Sequence, residues 1–492
     1  MALSLGCGFT HVITEEGDIF GFGRNRMGQV GLGFSVTDQI QPIPVRLQAN
    51  YRGVIPVQNQ TFYHGRRPVM MSAGFQHSLC LTEDGSVWTW GPSEYGQAGR
   101  DEFNYDQARF GISEFGGVRV VQMACGARFS LVLTAIGQVW NCGLGAFGQL
   151  GHGDSRNRFR MTRVNPDHFG GNTINFIAAG HEHSMALRGA DSTLFTWGDD
   201  RLGEGSLGRV TRLTQHEVPL PVAQNSFGGI AILSMSGGNY FSVVVTVDGA
   251  MWACGTNFAA HLGFGDAIDR PFFERVGGSE LFGAGGVRMT ACQSERIRIL
   301  TNNGRVWVAG HFLWIHGHRH AFGPFALPDS VSFQNRDVVN ISCGHWHSAL
   351  VKSNGQVYLW GLGDHGALGT GNGEDLSSPH SVPAALFTHA RVGNNLIKDP
   401  DRALAFALGN QWRTGDGSYY TFAPPETITL MFNALRLMEP LSNVAPGLRI
   451  LMKFPGTVAL PVINTTNTQS DDDDDENDAG EELHASEDEG SE

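Results

Sequence analysis

Short runs in which apolar residues occupy every second position recur from the start of the chain to about residue 375, as in Val87-Trp88-Thr89-Trp90 and Val139-Trp140-Asn141-Cys142. A period of two sends successive side chains to opposite sides, which predicts strands rather than helices. The runs belong to seven copies of one template starting at Gly6, Gly74, Gly126, Gly180, Gly238, Gln293 and Gly344. The fourth column reads Phe9, His77, Phe129, His183, Phe241, Arg296, His347, and the fifth Thr10, Ser78, Ser130, Ser184, Ser242, Ile297, Ser348. A second strand follows a turn and carries an aromatic at Phe20, Trp88, Trp140, Phe195, Trp252, Trp307 and Tyr358, with a Gly three residues on in every copy.

Successive starts are 68, 52, 54, 58, 55 and 51 residues apart, enough for four short strands and their turns. One such sheet cannot cover both of its faces. Seven stacked radially cover one another, and closing the ring protects the edges. The expected fold is all-β, a closed seven-bladed β-propeller.

Composition agrees, with 66 Gly, 31 Phe and 17% charged residues. The net charge of -14 is concentrated: Asp471 to Glu492 holds 13 acidic residues and no Lys or Arg, so the remainder carries -14 + 13 = -1. A near-neutral body argues against direct nucleic-acid binding. Cys7, Cys80, Cys125, Cys142, Cys254, Cys292 and Cys343 are odd in number, with no Cys-x-x-Cys pair, which predicts buried thiols rather than a zinc site or a disulfide framework. No run of 18 apolar residues occurs and the amino terminus has no basic flank, so an intracellular protein of cytoplasm or nucleus, without membrane contact, is expected.

Gly74-Phe-Gln-His-Ser, Asp84-Gly85, Val87-Trp88-Thr-Trp90-Gly91 and Gly96-Gln97-Ala98-Gly99, together with the copy ending Gly148-Gln149-Leu150-Gly151, resemble the repeat of the regulator of chromosome condensation (RCC1-type) family. The sixth copy departs most, with Gln293, Arg296 and Ile297, and predicts an irregular blade. The resemblance implies a propeller that binds other proteins through a disc face. It also implies a second function, guanine-nucleotide exchange on a Ran-like small GTPase, which requires no covalent chemistry. In the family, repeat histidines and an acidic residue before one of them lie on the GTPase-facing side; His77, His183, His347 and Glu182 match those positions. A third, ubiquitin-ligase substrate receptor, rests on Pro425, Glu426, Ile428 and Phe432, which resemble the opening of an F-box. The family includes the plant UV-B photoreceptor, but the tryptophans here mostly occupy the strand column, and that role is not expected.

No catalytic set, cofactor or metal is predicted. Gly143-Leu-Gly145-Ala-Phe-Gly148 fits a phosphate-cradling pattern, yet its glycines recur as turn residues and no helix follows. His316, His318 and His320 cluster without an acidic or Cys companion. Residues 1–380 are read as the propeller, 381–464 as a partly helical extension with helices at 399–409 and 425–438, and 465–492 as a disordered acidic tail. Ser470 and Ser486 precede acidic runs and fit acid-directed phosphorylation, and the tail suits basic protein partners.

Overall fold

The computed structural model describes residues 1–387 except 16, 32–39, 47–65, 101–107, 172, 201–204, 210–214, 278–280, 284–285, 311–320, 328 and 330–332. The strands form seven four-stranded antiparallel sheets, each made of four consecutive strands in chain order. Blade one comprises Ala2–Leu5, Phe9–Ile13, Ile19–Arg24 and Ile40–Arg46; blade seven comprises Val338–Cys343, His347–Lys352, Val357–Gly361 and Leu376–Ser381. The first strand of every blade is innermost and abuts the first strands of its neighbours, those of blades one and seven included, so the ring is closed.

Among the described residues no strand is exchanged between the first and last blades; packing closes the ring. Leu3, Leu5, Val12, Phe20 and Phe22 share one buried cluster with Ala349, Val351, Leu359, Val382 and Phe387. Phe20 meets the Phe387 ring edge-on at 5.5 Å. Each fully buried Phe at such an interface contributes about 1.5–3 kcal/mol.

The repeat columns acquire physical reasons in the hairpin between the first and second strands. At the first-column Gly a side chain has no room, because the column-four ring folds over it: a Cβ at Gly180 would lie 1.8 Å from the His183 ring, and one at Gly126 1.9 Å from Phe129. The sixth copy departs at both columns together. Arg296 has no such ring to fold back, and Gln293 stands where the others have Gly.

That blade is nevertheless a complete sheet, Val287–Gln293, Arg296–Thr301, Val306–Gly310 and Ala321–Ala326, which corrects the expectation of an irregular one. Its arginines take over the links to blade seven. The buried Arg296 guanidinium donates to the His345 carbonyl, and Arg298 Nε donates to Ser348 Oγ at 2.9 Å.

Candidate functional site

Column-five hydroxyls and column-four histidines form one clasp repeated around the ring. Ser130 Oγ donates to the Gln97 carbonyl of the preceding blade at 2.7 Å, Ser184 Oγ to Gln149 at 2.8 Å, Ser78 Oγ to Gln29 at 3.0 Å and Thr10 Oγ1 to Ala367 at 2.9 Å. The Gly-Gln-x-Gly turn therefore receives the next blade. His77 Nε2 lies 2.9 Å from Ser130 Oγ, His183 Nε2 2.9 Å from Ser242 Oγ, and His347 Nε2 2.8 Å from Thr10 Oγ1. Each of these hydroxyls already gives its single hydrogen to a carbonyl, Ser242 to that of Ser206, so the ring nitrogens are the donors and carry their proton on Nε2.

These three histidines are each 1% exposed. Burial pushes His77 and His347 down to about 3 and His183 to about 4, so all are neutral at pH 7. They fasten blades together from beneath the surface. Ser130→Ala would leave His77 Nε2 and the Gln97 carbonyl without the hydroxyl. A loss of about 1–3 kcal/mol is expected in urea unfolding.

The second column lines the axis. Backbone hydrogen bonds pass from blade to blade there: Cys7 N to Phe75 O, Phe75 N to Ala127 O, Ala127 N to His181 O, His181 N to Gly238 O and Asn239 N to Ser294 O, at 3.0–3.3 Å. Cys7, Phe75 and Ala127 make one side of the axis apolar, while His181, Asn239, Ser294 and His345 make the other polar. Phe75 faces His345 edge-on at 6.1 Å.

The third column, Gly8, Gln76, Arg128, Glu182, Tyr240, Glu295 and Trp346, is where the hairpin breaks the surface. Six of the seven are partly exposed between buried neighbours, and Glu182 is 4% exposed. Their backbone is fixed: the carbonyls of Arg128, Glu182, Tyr240 and Trp346 accept from Leu144, Asp199, Thr256 and Leu362 at 2.8–3.0 Å. Their side chains differ in nearly every copy. Tyr240 lies 6.1 Å from His181, Trp346 4.5 Å from His345, and the Arg296 guanidinium stands 5.0 Å from the Trp346 ring centre. Asn239 Nδ2 and Ser294 Oγ donate to Glu295 at 3.4 and 3.1 Å, and Glu182 Oε1 is 3.8 Å from His181 Nδ1.

Of the sequence candidates, Glu182 belongs to this surface column although largely buried, while His77, His183 and His347 lie one layer beneath. Gln76, Arg128, Tyr240, Glu295 and Trp346 were missed as a set. The second column, Cys7, Phe75, Ala127, His181, Asn239, Ser294 and His345, varies as much, so what singles them out is exposure in the folded hairpin rather than a sequence signal.

All seven cysteines are buried and free, and burial pushes Cys125 up to about 12, so that thiol stays protonated. Among the described residues no group of three or more His, Cys, Asp or Glu is placed to hold a metal, and no helix is long and apolar enough to cross a membrane. His316, His318, His320, the helices at 399–409 and 425–438 with Pro425, Glu426, Ile428 and Phe432, and Ser470 and Ser486 lie outside the described residues.

Seven blades clasped by these hairpins define a repeat propeller with a variable ring of side chains around its axis. The chain belongs to the RCC1-like domain family, whose model matches residues 49–398, and the regulator of chromosome condensation (RCC1) repeat matches residues 16–81. It is 28% identical over 319 residues to the Ultraviolet-B receptor UVR8 of Arabidopsis thaliana, covering 64% of this chain and 70% of that protein. It is 27% identical over 399 residues to the human RCC1-like G exchanging factor-like protein, covering 77% and 70%. The match to human E3 ubiquitin-protein ligase HERC2, 25% over 376 residues, covers 76% of this chain and 6% of that protein. Solved structures share the fold: human WBSCR16 has a TM-score of 0.61 at 20% identity, covering 74% of this chain and 94% of that one. Prp20p from Saccharomyces cerevisiae, a structure whose description includes binding to Gsp1p and histones, has a TM-score of 0.60 at 22% identity, covering 74% and 86%.

Proposed function

We propose that the chain is a protein-interaction scaffold that grips a partner with the hairpin face of the ring, through Gln76, Arg128, Tyr240, Glu295 and Trp346. The observation supporting this reading is the third column: the partly exposed ring of the hairpin, hydrogen-bonded along its backbone and presenting a different side chain from almost every blade, while the equally varied second column is buried against the axis. Tyr, Trp and Arg are the residue types that dominate protein-protein hot spots, and their backbones here are pre-ordered, which lowers the cost of binding. The expected outcome of affinity capture is a protein recovered by the natural chain and reduced at least tenfold by Tyr240→Ala/Trp346→Ala, with the variant's circular dichroism unchanged. Equal recovery by both would end the reading.

A second reading, exchange of guanine nucleotide on a Ran-type small GTPase, is favoured by one observation. Glu182, in the hairpin-face column, directly precedes the buried His183, and the similar human protein is named for G exchange. A propeller would act by binding the nucleotide-free GTPase better than the loaded one. Faster release of labelled GDP from such a GTPase, lost in Glu182→Ala, would establish it. No acceleration leaves the scaffold alone.

A further inference from the structure

The outermost strand of each blade has one side that pairs with no strand among the described residues. An open edge invites addition of a foreign strand, and prolines blunt it by removing backbone donors. Five of the seven outer strands carry proline: Ile40–Arg46 at Pro42 and Pro44, Gln215–Pro221 at Pro219 and Pro221, Arg270–Arg275 at Pro271, Ala321–Ala326 at Pro324 and Leu376–Ser381 at Pro379. The described part of the outer strand of blade two is the three residues Ala108–Phe110. Among the described residues, blade three is the one whose outer strand runs six residues without proline, Arg158–Arg163, reading Arg-Phe-Arg-Met-Thr-Arg.

Its register makes the difference specific. Arg158 pairs with Gly143 and Thr162 with Asn141, so Phe159, Arg160 and Met161 fall in a bulge outside the ladder. In blades one, four, six and seven the same register puts Pro44, Pro219, Pro324 and Pro379 where blade three has Met161. The fold therefore does not use an N–H at that position, and blade three keeps one.

From Ser155 to Pro166 there are four arginines and no acid, in a body of net charge about -1. Arg158 pairs with Asp154 at 2.8 Å, while Arg156, Arg160 and Arg163 are exposed. Phe159, beside Arg160 in that bulge, is 40% exposed. We propose that this edge receives an extended segment of a partner protein as a fifth strand, one whose residues alternate acidic and apolar. Backbone pairing would supply the alignment, the exposed arginines the charge match and Phe159 an apolar contact. The chain's own run Asp471–Asp475 has the charge but not the alternation. The site lies on the rim of blade three and is independent of the hairpin-face reading.

The test uses the full chain and a fluorescein-labelled peptide of four Glu-Val repeats, with a four-repeat Lys-Val peptide and a single-stranded oligonucleotide of equal negative charge as comparison probes. The Glu-Val peptide is expected to bind, more weakly at higher salt, and to slow amide exchange in residues 158–163. Met161→Pro, a residue four sister blades tolerate at this position, is expected to weaken it at least tenfold, as is Arg160→Glu/Arg163→Glu. Binding indifferent to Met161→Pro would reduce the edge to a charged patch and overturn strand addition. Stronger binding of the oligonucleotide would overturn the choice of a protein partner. Binding that appears only after Asp471–Asp475 are changed to Asn would make the chain's own tail the occupant.

Discussion

Lowering the pH from 7 to 4 is expected to unfold the propeller cooperatively, with a midpoint set by buried histidines rather than by carboxylates. Burial holds His77 and His347 near 3, and His11 and His183 near 4, against an ordinary 6.5. Their folded-state values are depressed, so below 6.5 the unfolded chain takes up protons that the folded chain refuses. The stability these groups leave intact at neutral pH is lost as pH falls from 6.5 toward 4. Each contributes about 1.4 kcal/mol per pH unit in that window, on the order of 10 kcal/mol for four groups at pH 4, comparable with the whole stability of a domain. Asp200, raised to about 6 by burial, works in the opposite sense and offsets roughly one of them. Phe already occupies column four beside a column-five Ser in two clasps, Phe9 with Ser78 and Phe129 with Ser184. The triple change of His77, His183 and His347 to Phe should therefore fold and move the acid midpoint, followed by tryptophan fluorescence, down by about one pH unit. An unmoved midpoint would place the acid sensitivity elsewhere.

Gly255→Ala is expected to be among the most damaging single methyls that can be added to the hairpin face. Gly255 sits at φ +110°, and a Cβ there would lie 2.2 Å from the Tyr240 carbonyl and 2.5 Å from Phe241 Cα, backbone atoms that cannot turn aside. Left-handed strain adds to the overlap, and a loss above about 4 kcal/mol, or failure to accumulate folded protein, is the expected result. Gly116→Ala is the matched control: φ is +70° and nothing lies within 4 Å, so only the conformational cost of about 1 kcal/mol should appear in the urea midpoint. Similar losses for both would mean that the hairpin backbone yields more readily than its packing implies. The tyrosine on that hairpin is one of the proposed contact residues, so the glycine that fixes its carbonyl is also what fixes the binding ring.

The seven blades were legible from the chain alone, because each is built from four consecutive strands and what specifies it is local: period-two alternation, a tight turn that is Asp-Gly or Asn-Gly in four copies, and a glycine wherever a ring or a carbonyl fills the place of a side chain. Columns repeated in one chain also separated what the fold dictates, such as Gly180 under the His183 ring, from what it leaves open, such as Tyr240 and Trp346. What passes between blades was decided only by tertiary structure. His77 meets a serine 53 residues away and His347 a threonine 337 residues away, and no local pattern states that these nitrogens face the next blade's hydroxyl rather than a partner. Arg296 looks like a defect in the sixth copy until its contact with the His345 carbonyl is seen, with Arg298 reaching Ser348 beside it. The averaged charge of about -1 likewise conceals the arginines of blade three, because net charge sums over a surface while recognition depends on which side chains share one edge.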